Sequence, residues 1–281
     1  MFKLKKGQTG RLISYIFLIA FGMVMIYPLL WLFFAAFKTN TEIFGSRKLL
    51  PSAFSFESYI NGWRGSGRYG FSTFFTNSFK IVLPSLALIL ISSILVAYGF
   101  ARFTFPCKKF LFSMMIATLM LPNSVIVIPR YILFRNFGWI NTFRPFIIPS
   151  AFGSAFFIFL LIQFMRSIPL ELDEAAYIDG CGSFHTLVTV LLPLCKPVIF
   201  SVIVFHSLWT WNDFFGPLIY LNSVSRYTVS LGLRMGIDTS SAIQWSNVMA
   251  MSLLSIIPIV ILYFTAQKYF VEGITTTGLK G

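Results

Sequence analysis

Six long stretches of this sequence carry almost no charge, and they constrain the fold more than any other feature. They are residues 12–37, 81–101, 110–132, 145–165, 198–221 and 246–267. Each approaches the roughly 20 residues that an α-helix needs to cross about 30 Å of hydrocarbon. The runs predict an all-α, polytopic membrane protein. Its six transmembrane helices would form a single transmembrane domain over residues 1–281.

The composition supports a membrane protein and argues against a nucleic-acid partner. Hydrophobic residues make up 57% of the chain and charged residues only 11%, whereas soluble domains carry about 25% charged residues. The net charge of +13 could indicate nucleic-acid binding, but the 22 lysines and arginines are scattered between apolar runs. They form no basic stripe. Membrane lipid is therefore the expected surrounding, and no nucleic acid is expected.

The first apolar run and the basic clusters predict the orientation. The uncharged run at 12–37 is far longer than the roughly 7 to 15 residues of a signal-peptide core. It should therefore remain as a membrane span. Six spans put both termini on one side, and the densest basic clusters lie at residues 3–11 and 102–109. Because short basic flanks favour the inner face, both termini are predicted to be cytoplasmic.

An acidic loop at residues 167–197 separates the fourth and fifth runs. Within it, Glu171, Asp173, Glu174 and Asp179 concentrate four of the nine carboxylates of the chain. Ser167 and Pro169 suit the start of a short helix, and a left-handed Gly180 suits its end. Ala175 and Ala176 give this helix a small-residue face that another protein can approach closely. The loop therefore predicts a docking helix.

These residues also carry a family resemblance. Glu174-Ala175-Ala176, three residues, Gly180, nine residues, then Val190-Leu191-Leu192-Pro193 resemble the EAA loop of ATP-binding-cassette (ABC) importer permeases. Val190 replaces the more usual isoleucine. Nearly the whole chain is similar to maltose-type carbohydrate permeases, in particular the smaller, MalG-like subunit.

The resemblance implies a type I ABC importer permease whose acidic loop is a cytoplasmic coupling helix. The implied ATPase-coupling residues are Glu171, Glu174, Ala175, Ala176, Asp179, Gly180 and Pro193. The implied partners are a second, homologous MalF-like permease, two cytoplasmic ABC ATPases and an extracellular or periplasmic solute-binding protein. The implied cargo is a carbohydrate, expected to be an oligosaccharide. The implied location is a bacterial or archaeal cell membrane.

No catalytic or metal site is predicted in this chain. His185 and His206 have no carboxylate or cysteine at useful spacing, and no phosphate-binding GxxxxGK[ST] motif occurs. ATP and Mg would therefore bind the partner ATPases, and this chain would hold no cofactor. The three cysteines are odd in number and lack metal-ligand spacing. Buried or cytosolic thiols are expected.

A polar constellation lies in the outer half of the fifth run. It comprises Trp209, Trp211, Asn212 and Asp213. An acid inside a span costs about 2.5 to 3.5 kcal/mol unless it faces water or a partner. Asp213 should therefore face a cavity or a neighbouring helix. Both tryptophans would suit stacking on a sugar ring in the translocation pathway, but packing is an equally good interpretation.

The polar segment from Leu221 to Trp245 resembles the external loop that reaches into the binding protein in maltose-type systems. Its candidate contact residues are Arg226, Arg234 and Asp238. A solvated connector is the alternative, because length and polarity alone are weak evidence.

Three other classes of protein compete with this interpretation. A secondary transporter would show internal repeats and paired intramembrane acids, and neither is evident. A membrane-embedded enzyme would need a base, a nucleophile or metal ligands beside the acidic cluster. An importer of peptides, amino acids or ions would share the EAA loop. The maltose-type match across residues 146–179 favours sugar.

Overall fold

The computed structural model describes residues 6–65, 67–238 and 243–278, without the side chains of residues 6–9, 12, 238 and 270–278. These residues form helices and no strands, which confirms the all-α prediction. In chain order the α-helices are α1 (Lys6–Ala35), α2 (Asn40–Gly45), α3 (Glu57–Arg64), α4 (Phe71–Arg102), α5 (Lys108–Leu119), α6 (Asn123–Asn136), α7 (Arg144–Ile147), α8 (Ala155–Ser167), α9 (Glu171–Ile178), α10 (Ser183–Thr186), α11 (Leu192–Leu194), α12 (Lys196–Asn212), α13 (Phe215–Tyr220), α14 (Val229–Asp238) and α15 (Trp245–Gly278). Shorter elements are two 3₁₀ turns at Ile148–Phe152 and Val224–Arg226 and a π-helical segment at Leu187–Leu191.

Four stretches of the described chain are long and apolar enough to cross a membrane as they stand. They are Ile13–Ala35, Phe71–Arg102, Arg144–Ser167 and Trp245–Tyr269. Two more candidates are bent pairs of helices. The pair α5 and α6 is bent by 100°, and Ser183–Leu194 is bent by 79° from α12. If each bent pair is one span, the described residues contain six.

The third apolar run is broken, although the sequence predicts one continuous span over residues 110–132. Helix α5 ends at Leu119, and α6 begins at Asn123 after an extended Pro122 with φ −63° and ψ 137°. Proline lacks the N–H of a helical hydrogen bond and disfavours helical geometry in the residue before it. Pro129 nevertheless lies inside α6 without ending it.

The fifth run also differs from the continuous span predicted at residues 198–221. Helix α12 ends at Asn212, and Asp213 is extended, with ψ 116°. The chain becomes helical again in α13. The polar residues of the predicted pathway therefore lie at a helix end rather than inside a helix.

Two helices extend beyond the predicted spans, and the predicted loops contain short helices. Helix α4 begins at Phe71, ahead of the predicted start at residue 81, and α15 continues to Gly278. The segment between the first two predicted spans contains α2 and α3. The polar loop before Trp245 contains α14, although residues 239–242 lie outside the described residues.

The chain divides into two compact units, and the predicted single domain stays a prediction. The first unit comprises Met1–Ser72 and Leu233–Ile256, and the second comprises Thr73–Gly232 and Ile257–Gly281. The core of the second unit combines α4, α8, α12 and the π-helical segment. Its buried side chains include Ile89, Ala97, Phe157, Leu161, Ile162, Met165, Leu191, Val198 and Val202.

The first unit is held together by a short capped helix and aromatic packing. Phe37 contacts Phe54 and Phe56 edge to face, each at 5.4 Å between ring centroids. Thr39 and Glu42 form a reciprocal capping box at the start of α2. Hydrogen bonds from the Ser52 hydroxyl, and then from backbone N–H groups, lower the pKa of Glu42 from 4.5 to about 2.

Candidate functional site

The acidic loop, called here the coupling loop (residues 167–197), folds into α9, α10, the π-helical segment and α11. The start of α9 differs from the prediction that Ser167 caps it and that Pro169 lies in its first turn. The helix begins at Glu171, and Leu170 before it makes no side-chain cap. Ser167 belongs to α8 and donates its hydroxyl hydrogen to the Phe164 carbonyl at 2.7 Å. The prediction is wrong because α8 continues through Ser167 and uses that hydroxyl.

The acids of α9 lie where the helix favours negative charge. Glu171, Asp173 and Glu174 all fall in its first turn, near the positive end of the helix dipole. Glu171 and Glu174 are exposed, whereas Asp173 is partly buried. Glu171 and Glu174 therefore give the exposed surface of the coupling loop a negative charge.

The end of α9 is a Schellman motif centred on Gly180. Gly180 has φ +80°, which confirms the left-handed conformation expected from the sequence. Its N–H donates to the Tyr177 carbonyl at 3.0 Å, and the Cys181 N–H donates to the Ala176 carbonyl at 2.9 Å. These two bonds satisfy carbonyls that a helix end otherwise leaves free. Asp179, the last residue before the glycine, is exposed.

The exposed surface of the coupling loop carries large apolar side chains beside these acids. Ala176 is only 6% exposed and packs within the chain, so its predicted place on a docking face is wrong. Ala175 is exposed. Tyr177 and Ile178 are 80% and 83% exposed, and Phe184 just beyond is 69% exposed. Successive helical residues point about 100° apart, so one of two adjacent alanines can be buried while the other is exposed.

The end of α4 holds the coupling loop at three points. Arg102 pairs with Asp173 at 3.0 Å and donates from the same nitrogen to the Ile168 carbonyl at 3.1 Å. Tyr98 donates its hydroxyl hydrogen to the Ser183 carbonyl at 3.0 Å. The sequence prediction missed Arg102 and Tyr98. The sequence did show an arginine at the end of an apolar run. Its partners lie 66 or more positions further along the chain, so the sequence alone did not identify them.

The coupling loop leads into the core through the π-helical segment. Leu187, Leu191 and Cys195 are at most 2% exposed and belong to the buried cluster with α4 and α8. The Leu192 N–H donates to the Leu187 carbonyl, five residues back. Pro193, which the sequence assigns to coupling, is exposed. The chain then bends by 79° into α12.

The two tryptophans of the predicted pathway have different surroundings. Trp211 is 4% exposed and contacts Phe75 and Phe79 at ring-centroid distances of 5.5 and 5.0 Å. Of the two interpretations left open by the sequence, packing describes Trp211. Trp209 is half exposed and stacks on Phe157 at 5.5 Å. Half of the Trp209 side chain is therefore not covered by this chain.

Asp213 is engaged by the backbone of its own chain. Its Oδ1 accepts a hydrogen bond from the Gly216 N–H at 3.0 Å, at the start of α13. Its carbonyl accepts one from the Ser230 hydroxyl at 2.6 Å. A Cβ on Gly216 would collide with the Asp213 carboxylate. Asn212, immediately before it, is exposed.

The candidate binding-protein contacts are divided between the two compact units. Arg226 ends the 3₁₀ turn Val224–Arg226 in the second unit and is partly buried. Arg234 and Asp238 lie on α14, in the part assigned to the first unit. Arg234 is exposed, and the side chain of Asp238 lies outside the described part of the structure.

No group of three or more His, Cys, Asp or Glu side chains in the described ranges could hold a metal ion. The cysteines are free thiols: Cys107 is exposed, Cys181 is partly buried and Cys195 is buried. His206 shares a hydrogen bond with the Ser85 hydroxyl at 3.0 Å.

The chain has relatives along almost its full length. The probable ABC transporter permease protein YurM of Bacillus subtilis is 32% identical, over 99% of this chain and 91% of the relative. The arabinooligosaccharides transport system permease protein AraQ of Halalkalibacterium halodurans is 30% identical, over 98% of this chain and 100% of the relative. The sn-glycerol-3-phosphate transport system permease protein UgpE of Brucella suis is 31% identical, over 98% of this chain and 99% of the relative.

A solved structure shares the fold. A chain from a bacterial ABC transporter involved in the import of the acidic polysaccharide alginate superposes with a TM-score of 0.83 and 21% identity. The match covers 96% of this chain and 99% of that chain. Residues 90–276 match the family described as "Binding-protein-dependent transport system inner membrane component". The chain therefore belongs to this family of membrane permease subunits, which are non-catalytic components of ABC transporters.

Proposed function

We infer that this chain is a permease subunit of an ABC importer that carries an oligosaccharide into the cytoplasm. Its partners would be a homologous MalF-like permease, two cytoplasmic ATPases that bind ATP and Mg, and an external solute-binding protein. The chain would lie in a bacterial or archaeal cell membrane with both termini in the cytoplasm. The coupling loop would then face the ATPases, and residues 222–245 would face the binding protein.

The observation that carries this proposal is the exposure of three large apolar side chains in the coupling loop. They are Tyr177, Ile178 and Phe184, called here the apolar patch. Switching a two-state transporter from 1:99 to 99:1 needs about 5.5 kcal/mol. An exposed ion pair contributes only about 0 to 1 kcal/mol, so Glu171 and Glu174 are too weak to carry that change. Burying each large apolar side chain contributes about 1.5 to 3 kcal/mol. Three such side chains contribute about 4.5 to 9 kcal/mol to docking, and the part of that energy that differs between the two states drives the switch.

An oligosaccharide fits the chemistry at the end of α12 better than a phosphorylated solute. Trp209 offers a half-exposed indole face, and aromatic faces suit the apolar side of a sugar ring. Residues 197–225 contain Asp213 but no lysine or arginine. A phosphate would be expected to find a cation there. The name of AraQ supports the same class, whereas that of UgpE supports glycerol phosphate.

Reconstitution tests the proposal. The permease pair, the ATPases and the binding protein from the same organism would be placed in vesicles with ATP inside. We expect uptake of labelled oligosaccharide that depends on ATP and on the binding protein. Uptake of glycerol phosphate instead would contradict the carbohydrate assignment. Uptake without ATP would contradict the ABC importer.

The apolar patch has its own matched test. Ile178→Ser should reduce co-purification of the ATPases, because it removes an apolar side chain from the docking surface. Leu50→Ser is the control, since Leu50 is also largely exposed, at 61%, but lies in the first unit. Equal co-purification of both variants with wild type would show that the patch does not dock the ATPases.

A further inference from the structure

Helix α4 holds a separate segment near each of its ends. Asn77 and Ser78, near its start, are 4% and 2% exposed. Tyr98 and the Arg102 side chain, near its end, are 8% and 6% exposed. At about 1.5 Å per residue, the stretch from Ser78 to Arg102 covers about 36 Å. The two pairs are thus separated along α4 by at least about 30 Å, which is about the hydrocarbon thickness of a bilayer.

The first pair, called here the first clamp (Asn77 and Ser78), holds residues 225–229 by their backbone. The Asn77 amide donates to the Ser225 carbonyl at 2.9 Å and to the Tyr227 carbonyl at 3.0 Å. The Ser78 hydroxyl accepts from the Val229 N–H at 2.9 Å. This segment overlaps the 3₁₀ turn Val224–Arg226. Any displacement of its backbone therefore acts directly on α4.

The second pair, called here the second clamp (Tyr98 and Arg102), holds the coupling loop on both sides of α9. Arg102 contacts the Ile168 carbonyl before α9 and Asp173 within it, and Tyr98 contacts the Ser183 carbonyl after it. Tyr98 and Arg102 are four residues apart, so they project from the same face of α4. Their burial protects these contacts from the solvent screening that weakens surface ion pairs.

Helix α4 joins the two clamps as one continuous helix. It is continuous from Phe71 to Arg102, with Pro84 inside it. Ile89 and Ala97, between the clamps, lie in the buried cluster together with side chains of α8. Closely packed interiors transmit displacement instead of absorbing it. A shift at one clamp should therefore reach the other.

We propose that Tyr98 and Arg102 are positioning residues through which α4 links residues 225–229 to the coupling helix α9. The inference rests on the proposed function, in which the binding protein docks near residues 225–229 and the ATPases dock on α9. Docking of the loaded binding protein shifts residues 225–229, α4 passes the shift along its length, and the second clamp reorients α9. ATP hydrolysis then rises only when the binding protein is present.

Two single-hydroxyl deletions test this link. Tyr98→Phe removes one hydrogen bond of the second clamp, and Ser78→Ala removes one of the first. Each should lower binding-protein-stimulated ATP hydrolysis about two- to tenfold, while basal hydrolysis and co-purification of the ATPases stay at wild-type levels. Arg102→Lys, which keeps the charge, should retain more stimulation than Arg102→Gln. Tyr263→Phe on α15 is the control, because Tyr263 is 51% exposed.

The double variant of Ser78→Ala with Tyr98→Phe separates a link from two independent effects. If both clamps serve one path, the stimulation lost in the double variant should not exceed the stimulation lost in the more impaired of the two single variants. Multiplied losses would mean independent sites and would overturn the proposal. Wild-type stimulation in both single variants, or loss of bound ATPase in Tyr98→Phe, would also overturn it. A wild-type complex that the binding protein fails to stimulate would instead contradict the proposed function.

Discussion

Replacing Gly180 tests whether the shape of the end of α9 controls ATPase docking. Gly180 has φ +80°, and nothing lies within 4 Å of the position that a Cβ would occupy. A side chain there meets no steric obstacle within this chain. Any effect of Gly180→Ala on the isolated chain must therefore arise from backbone strain.

The expected magnitude follows from that conformation. A left-handed backbone costs a non-glycine L-residue about 1 to 2 kcal/mol. Relief of this strain would break the bonds that Gly180 and Cys181 donate to the last turn of α9 and tilt Tyr177 and Ile178. If the docked state keeps the left-handed turn and the free state relaxes, the whole strain appears as lost affinity. That loss is about 5- to 30-fold, since about 1.4 kcal/mol is a factor of ten.

The assay is titration of the purified ATPase onto the permease pair in nanodiscs. Gly180→Ala should weaken binding by up to that factor, and Gly180→Asn is the matched control, because asparagine tolerates the left-handed conformation. Gly180→Asn should therefore stay close to wild type. Wild-type affinity in Gly180→Ala would refute the strain argument. Equal weakening by alanine and asparagine would show that any side chain at this position obstructs the partner.

Three further predictions concern pH, packing and topology. Because the pKa of Glu42 is lowered from 4.5 to about 2, its bonds should stabilise the loop around α2 above pH 4.5 and be lost as the pH falls through about 2. Hydrogen exchange should detect this loosening, and Glu42→Gln should remove the pH dependence. Gly216→Ala should displace the Asp213 carboxylate and destabilise the protein by about 1 to 2 kcal/mol; an unchanged thermal midpoint in detergent would show that the bond from the Gly216 N–H to Asp213 does not stabilise the protein. In a cysteine-free background, an impermeant maleimide added to cells should label Arg47→Cys but spare His185→Cys, and the reverse pattern would invert the proposed topology.

The sequence was sufficient for features that depend on nearby residues. The absence of charge over about 20 residues predicts a helix that can span a membrane, because an unpaired charge in hydrocarbon is costly. Gly180 was predictable as a helix end, because glycine adopts the left-handed conformation at little cost. Both signals act within a few residues and need no knowledge of tertiary contacts.

Features that depend on tertiary contacts were not predictable in this way. Pro122 breaks a helix and Pro129 does not, although both lie in one apolar run, so proline alone does not locate a bend. The burial of Ala176 rather than Ala175 depends on which face of α9 meets the rest of the chain. The pairing of Arg102 with Asp173 requires two distant segments to be adjacent in the fold.

The 100° bend between α5 and α6 determines what can surround this part of the chain. The 12 residues of α5 and the 14 residues of α6 reach only about 18 and 21 Å, short of the roughly 30 Å of hydrocarbon. Carbonyl groups at a helix end run out of intrahelical partners, and lipid tails offer no replacement. Acyl chains must therefore stop short of the exposed Met120 and Leu121. Water or another polypeptide must therefore surround Met120 and Leu121 in place of lipid.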